Sequence, residues 1–318
     1  MQFFHGTNID FIGPKGKFAT ASAVIIGLFM LAIGILGIDW GIDFVGGSEV
    51  QFQFKNHVEI NQIRKVVEKS PIKEAEIKSY GKDGQFIIRI KELAQATGNA
   101  NDKASDELVK VLQAGFPDNQ VTKLGENTIG PKVGKEMRIQ GILAVVLAVL
   151  AILIYIAFRF EFVFGLGAVV ALVHDVIFAL GFTLLIGKLG WISLEFNQSM
   201  LAAMLTVVGY SINDTVIIFD RIRENQEKHK GMPLAKLMNL SINETLSRTI
   251  NTVLTVAMVL TVMVLFAGPV LQGFSFTMLV GIIIGTYSSI FIASSFVLWY
   301  TAKFGHKHEA KKASVAKV

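Results

Sequence analysis

The 318-residue chain contains no cysteine, which excludes disulfides and thiolate chemistry and leaves the redox compartment open. It is also poor in charge: 17% of residues are charged against 52% hydrophobic, and mean hydropathy is +0.52. Such a balance excludes an ordinary soluble enzyme. The shortage is concentrated in runs. Phe18–Ile38, Ile139–Phe158 and Thr249–Ala302 hold no Asp, Glu, Lys, Arg or His, and a membrane-spanning helix needs about 20 apolar residues. A multi-pass membrane protein follows. The net charge of +5, from 30 Lys plus Arg against 25 Asp plus Glu, sits at the edges of these runs, so nucleic acid is not an expected partner. His5, His57, His229, His306 and His308 are scattered without metal-ligand spacing, and no His-Glu-x-x-His occurs. No cofactor is expected.

Six spans are predicted, at residues 18–38, 139–158, 163–186, 197–219, 250–267 and 274–301. As one helix, the last charge-free run would be about 80 Å long against a hydrocarbon core of about 30 Å. Gly268-Pro269 and Gln272-Gly273 supply the break. The first run is long for a signal peptide, and no A-x-A site follows it, so it is expected to be retained. Lys15 and Lys17, Arg159, the Arg221–Lys236 cluster, and Lys303 with the lysines of the 302–318 tail all fall on one side. By the positive-inside rule that side is cytoplasmic, with residues 1–17 and 302–318 inside the cell. Trp40, Trp191 and Trp299-Tyr300 are expected at the interfaces.

Residues 39–136 are long enough to form a domain outside the membrane. Ser48–Lys55 alternates as a strand, and Ile60, Ile63, Val66 and Val67 recur at helical spacing. Glu74–Ser79 and Gln85–Lys91 flank the turn Gly81-Lys82-Asp83-Gly84, and a helix at 101–114 precedes a strand opening at Gln120. The order βαββαβ predicts a ferredoxin-like α+β layer, which names no function by itself.

Charged groups within a bilayer are unfavourable by about 2.5–3.5 kcal/mol each and by default mark function. His174-Asp175 lies about 17 Å into the third span, and Asp214 about 10 Å from the Arg221 end of the fourth, beside Ser211, Asn213 and Thr215. Arg248 heads a polar stripe through Asn251, Thr252 and Thr255. It belongs to an amphipathic helix beginning near Pro233, expected along the interface within a 220–249 loop. Asp214, Asp175 and this stripe are expected to face one interior, where a carboxylate can gain and lose a proton. Asp175 with His174 fits a helix-pinning role as well. Asp220, Arg221, Arg223 and Glu224 fit a solvated helix end, and Gly281-x-x-x-Gly285 fits helix packing.

Gly41-Ile42-Asp43-Phe44-Val45-Gly46-Gly47, Gly130-Pro131-Lys132-Val133-Gly134, Val208-Gly209-Tyr210-Ser211-Ile212-Asn213-Asp214-Thr215 and Phe219-Asp220-Arg221-Ile222-Arg223-Glu224-Asn225 resemble the SecD/SecF family of bacterial protein-export membrane proteins. The resemblance spans nearly the whole chain and implies half of a resistance-nodulation-division transporter, with SecD as the other half. It further implies an inner-membrane, non-enzymatic subunit. With SecD, such a subunit assists the SecYEG channel, YajC and YidC being further partners. The pair uses the proton motive force to drive late, ATP-independent steps on the translocating preprotein. In that family the residues matching Asp214 and Arg248 are tied to proton transfer.

Two other functions compete. An intramembrane aspartyl protease would pair Asp175 with Asp214, but no Gly-x-Gly-Asp precedes either. A small-molecule or lipid transporter of the same superfamily would need an apolar cavity in the 39–136 domain.

Overall fold

The computed structural model describes residues 7–70, 72, 75–79, 84–90, 100–189 and 194–315. Most of the Gly81–Gly84 turn, Trp191, His5, and the strand ends Glu74 and Lys91 lie outside them. Helix α1, Lys15–Leu36, is followed by the short α2, Ile42–Val45, and by an α+β domain: β1 Gly47–Phe54, α3 Ile60–Glu68, β2 Ala75–Ser79, β3 Gln85–Ile90, α4 Ala100–Gly115 and β4 Val121–Ile129. Five further long elements complete the chain: α5 Pro131–Arg159, α6 Phe162–Lys188, α7 Gln198–Lys228, α8 Leu234–Phe266, and α9 Pro269–Ser288, which continues through a π-helical turn Ser289–Ala293 into α10, Ser294–Val315.

The α+β domain follows the expected order. Its sheet is antiparallel with strand order β2-β3-β1-β4, the ferredoxin-like arrangement. Alternation explains its two faces. Val50, Phe52, Phe54, Ile88 and Ile90 point to α3 and α4, where Ile63, Val67, Leu108 and Leu112 close the core. Glu49, Gln51 and Gln53 point the other way. A bulge at Leu124 shifts the β1–β4 register after Gln51.

Six helical segments are long and apolar enough to cross a membrane, as expected from the charge-free runs. Their extents differ from the runs, however. The 197–219 run lies in one helix reaching Lys228, and α8 is a single helix of 33 residues rather than an interfacial helix followed by a span. Neither Pro nor Gly interrupts Leu234–Phe266, so the hydrogen-bond ladder runs on while only the composition changes. At about 50 Å, α8 must project beyond a bilayer core of about 30 Å. The sixth span contains a π turn that periodicity did not indicate.

The α+β domain is clasped where it joins the membrane helices. Gly46 and Gly47 adopt φ of 81° and 134°, conformations that a side chain disfavours. A Cβ on Gly46 would lie 2.6 Å from Pro131 Cα, and one on Gly134 would lie 2.7 Å from the Gly46 nitrogen. The two glycine motifs, more than 80 residues apart in sequence, are therefore one close backbone contact. Asp43 accepts a hydrogen bond from the Gln198 amide at the start of α7 (2.9 Å), and Trp40 stacks edge-on with Phe44 and Phe196 beneath Arg138.

A charged latch reinforces this joint. Glu195, in the α6–α7 connection, pairs with Lys78 of β2 and Arg89 of β3, and Arg89 also reaches Glu49 at 2.7 Å. Burial disfavours the Lys78 ammonium, but hydrogen bonding and attraction to Glu195, with help from Glu76, outweigh burial and hold its pKa above the ordinary lysine value. A raised folded-state pKa contributes stability that is complete below the unfolded lysine value of about 10.4 and is lost as pH rises through the folded one. Domain docking, followed by the distance between spin labels on β2 and α7, is therefore expected to stay constant from neutral pH to about pH 10 and to loosen above it. Glu195→Gln should loosen it at neutral pH.

The amino-terminal segment is held by two asparagines one turn apart on α8. Asn243 Oδ1 accepts from the Ile9 amide and Asn239 Oδ1 from the Phe11 amide, both at 2.8 Å, while both side-chain amides donate to the Ile9 carbonyl. That face is an edge for capturing extended chain, and Asn243 is buried by it. Replacing both by Ala should speed hydrogen exchange of the Ile9 and Phe11 amides by about two- to tenfold each, at about 0.5–1.5 kcal/mol per bond.

Candidate functional site

The centre of the helical bundle forms around α9, which packs against α6, α7 and α8. Small residues make this possible. A Cβ on Gly281 would lie 2.1 Å from Val207 Cγ2, and one on Gly285 would lie 3.3 Å from Ser211 Cβ and 3.6 Å from Asp175 Oδ2. The Gly281-x-x-x-Gly285 pair thus serves close packing of α9 on α7, as expected.

Into this contact α6 projects Asp175, fully buried. Its Oδ2 accepts hydrogen bonds from Ser211 Oγ of α7 (2.5 Å) and Ser288 Oγ of α9 (2.7 Å), and its Oδ1 lies 2.9 Å from His174 Nδ1. His174 is buried too, and its Nε2 has no hydrogen-bond partner among the described residues. Asp175 joins three helices through three donors, an arrangement that satisfies a carboxylate at membrane depth.

Asp214 is held differently. It is 5% exposed and accepts one hydrogen bond, from Thr286 Oγ1 of α9 at 3.0 Å. Thr286 Oγ1 also lies 3.2 Å from the Ile282 carbonyl, and Ser288 Oγ 3.0 Å from that of Gly285. Each hydroxyl carries one proton, so a rotation of either returns it to its own helix and withdraws a donor from the carboxylate. Ser211 and Asp214 lie on one face of α7, and Thr286 and Ser288, two residues apart within one turn of α9, reach Asp214 and Asp175 respectively. The π turn begins immediately after Ser288, and π turns within helices concentrate at functional sites.

The common interior expected for Arg248 is not formed within this chain. Arg248 is exposed on α8 and makes no ion pair among the described residues, although it lies close enough to act electrostatically on Asp214. Thr252 and Thr255 bond to their own helix. Asn213, grouped by sequence with Asp214, is exposed on the outer face of α7, because adjacent helical residues diverge by about 100°. Thr215 is buried but donates to the Ser211 carbonyl. The core-facing side of α8 is instead Leu246 and Thr249, so its charged stripe faces outward.

The helix-end charges form ion pairs as expected for a solvated end. Asp220 pairs with Arg159 at 2.8 Å, and Arg221 pairs with Glu224 at 2.5 Å and with Glu244 at 2.6 Å, linking α7 to α8. Arg223 is exposed and unpaired among the described residues. Sequence reasoning missed Thr286, Ser288 and Tyr287, whose hydroxyl meets Ser22 at 2.8 Å. The available signal was the density of hydroxyls at Thr286–Ser289 inside an otherwise apolar span.

Fold and site together define a multi-pass membrane transport protein: six membrane-crossing helices, a ferredoxin-like α+β domain between the first two, and buried carboxylates in the bundle. Residues 109–303 match the family described as protein export membrane protein SecD/SecF, C-terminal, and residues 31–56 match the SecD/SecF GG motif. The chain belongs to the SecD/SecF family of protein-export membrane proteins. It is 41% identical over 304 residues to protein translocase subunit SecF of Rhodothermus marinus, covering 95% of this chain and 96% of that one. To the SecF of Desulfurispirillum indicum it is 39% identical, covering 98% and 96%. The crystal structure of SecDF from Thermus thermophilus superposes with a TM-score of 0.81 at 33% identity, covering 95% of this chain; this chain spans 40% of that one. Membership assigns the chain to protein export, as a membrane-embedded subunit and not an enzyme.

Proposed function

We propose that the chain acts with SecD as a proton-driven device, using the proton motive force for late, ATP-independent steps of preprotein translocation through SecYEG, with YajC and YidC as neighbours. Residues 39–136 then lie outside the inner membrane and both termini in the cytoplasm, in keeping with the positive-inside rule. The observation that carries this is Asp214: a carboxylate buried in the bundle with one hydroxyl donor, against three donors on Asp175. Ionised, it is poorly compensated within this chain; protonated, it fits. Proton uptake and release can therefore bias two helix packings. Asp175 is the weaker proton site, since its bonds to Ser211 and Ser288 tie it into the packing of three helices.

The partner completes the site. Asn213 on α7 and Arg248 on α8 are exposed at a depth where polar groups require protein or water. Ala202, Gly209 and Asn213 continue this face along α7, where a Cβ on Gly209 meets nothing within 4 Å. A second six-helix set seated there would bring Arg248 and Asp214 into a shared interior. The cavity of about 470 Å³ between the sheet and the α6–α7 connection is lined by Glu49, Glu76, Lys78, Arg89 and Glu195, which disfavours an apolar cargo. The two aspartates bond to different hydroxyls, which disfavours a shared-proton protease dyad.

The test is export of a model preprotein into vesicles with SecA and ATP, with and without an imposed proton gradient. Vesicles lacking this chain should lose the gradient-dependent increment and regain it on resupply. Because the chain has no native cysteine, Asn213→Cys should cross-link to SecD, and failure of both would discard the proposal.

A further inference from the structure

A second cavity opens on the lipid-facing side of the bundle between α1, α6 and α10, with His174, the neighbour of Asp175, in its inner wall. Its volume is about 550 Å³, within the range of ligand pockets. The walls are mainly apolar, with Ala19, Ala23 and Ile26 of α1, Val173 and Ile177 of α6 and Phe296 of α10, and Ser22, His174 and Ser295 add polar groups to them. The groove has a packing cause. Towards its carboxyl end α1 presses Phe29 onto α6 so tightly that a Cβ on Gly181 would lie 2.4 Å from the Phe29 Cβ. Towards its amino end, Phe18 and Ser22 turn to Tyr287 and Phe291, and the groove side of α1 offers the small residues Gly16, Ala19 and Ala23, which leave a gap to α6 and α10.

Charge gathers at one end of this groove. Lys15 lines it, and Trp299, also in its wall and 52% exposed, carries the Lys303 ammonium 5.2 Å from its ring centroid. Lys15, Lys17 and Lys303 make no ion pair among the described residues. An apolar slot within the hydrocarbon region, ended by unpaired lysines and an interfacial tryptophan, matches a lipid: tail in the slot, phosphate at the lysines. An extended peptide would leave its backbone groups unpaired against these walls, and a helical one would offer no phosphate to the lysines.

We propose that this groove binds one acyl chain of an anionic phospholipid from the leaflet at the Lys15 end, wedged between α1 and α10. The lipid is then a structural occupant that props α1 against the helix carrying the π turn.

The full-length chain in phosphatidylcholine nanodiscs, doped with phosphatidylglycerol bearing a photoactivatable acyl chain, tests this. Cross-links should concentrate on α1 and α10 peptides. Ala23→Phe, which fills the slot, should abolish them, whereas Ala151→Phe, on the exposed face of α5, should not. Lys15→Ala with Lys303→Ala alters no core contact, and should lower phosphatidylglycerol labelling about tenfold while leaving a phosphatidylcholine probe unchanged. Equal labelling by both probes in the native chain would mean annular lipid only and overturn the proposal, as would labelling that survives Ala23→Phe.

Discussion

Asp214→Asn is expected to abolish the gradient-dependent part of preprotein export while leaving the ATP-driven part intact. Asn has the size of Asp and still offers an oxygen to Thr286, so the packing of α7 on α9 should survive, as elution profile and helical content would show. What is lost is the ability to alternate between a charged and a neutral carboxyl. One charge moved across the membrane is worth about 2.3 kcal/mol per 100 mV, a bias of about fifty-fold on a two-state equilibrium. Without a titrating group at this position that bias has no point of application. Asp214→Glu should retain part of the increment, with a lower rate because the longer side chain displaces the Thr286 contact. An Asn variant that responds to the gradient like wild type would place coupling in the partner subunit and leave Asp214 a structural residue.

The second large effect is expected at the joint. Gly46→Ala must adopt φ near 81° and place a Cβ 2.6 Å from the Pro131 Cα. With ψ of 167° as well, this backbone lies in a region that glycine alone ordinarily occupies, unfavourable by about 1–3 kcal/mol for an L-residue. Overpacking typically adds about 1–3 kcal/mol, and here the obstructing atom is backbone, which cannot rotate away. A loss of roughly 2–6 kcal/mol should appear as a lowered midpoint of thermal unfolding and as proteolytic cleavage near residues 46–47 and 130–134. Gly209→Ala, where a Cβ meets open space within a helix, should be neutral or slightly stabilising in the isolated chain. Equal effects from the two substitutions would mean that the glycine clasp is not what docks the domain.

Much of the architecture was legible because it depends on local patterns. Alternation in Ser48–Lys55 and helical spacing in Ile60–Val67 report which face is buried, and the βαββαβ order leaves few ways to close a sheet. The end of α8 at Phe266 was legible in Gly268-Pro269. Its continuity was not, because the change from amphipathic to apolar composition within Leu234–Phe266 does not interrupt the backbone ladder. Nor did adjacency of polar residues translate into a shared site: Asn213 and Asp214 point apart.

The amino-acid sequence by itself determined the membrane class, the number of spans, the ferredoxin-like domain and the identity of the intramembrane carboxylates. Each follows from composition or period, which act over neighbouring residues and need no partner elsewhere in the chain. Only the tertiary structure decided that Gly46 meets Gly134, that Glu195 latches Lys78 and Arg89, and that hydroxyls of α9 divide between Asp175 and Asp214. Those contacts join residues distant in sequence, and which of them form depends on how closely whole helices approach, a distance set by glycines and side-chain volumes on both partners at once.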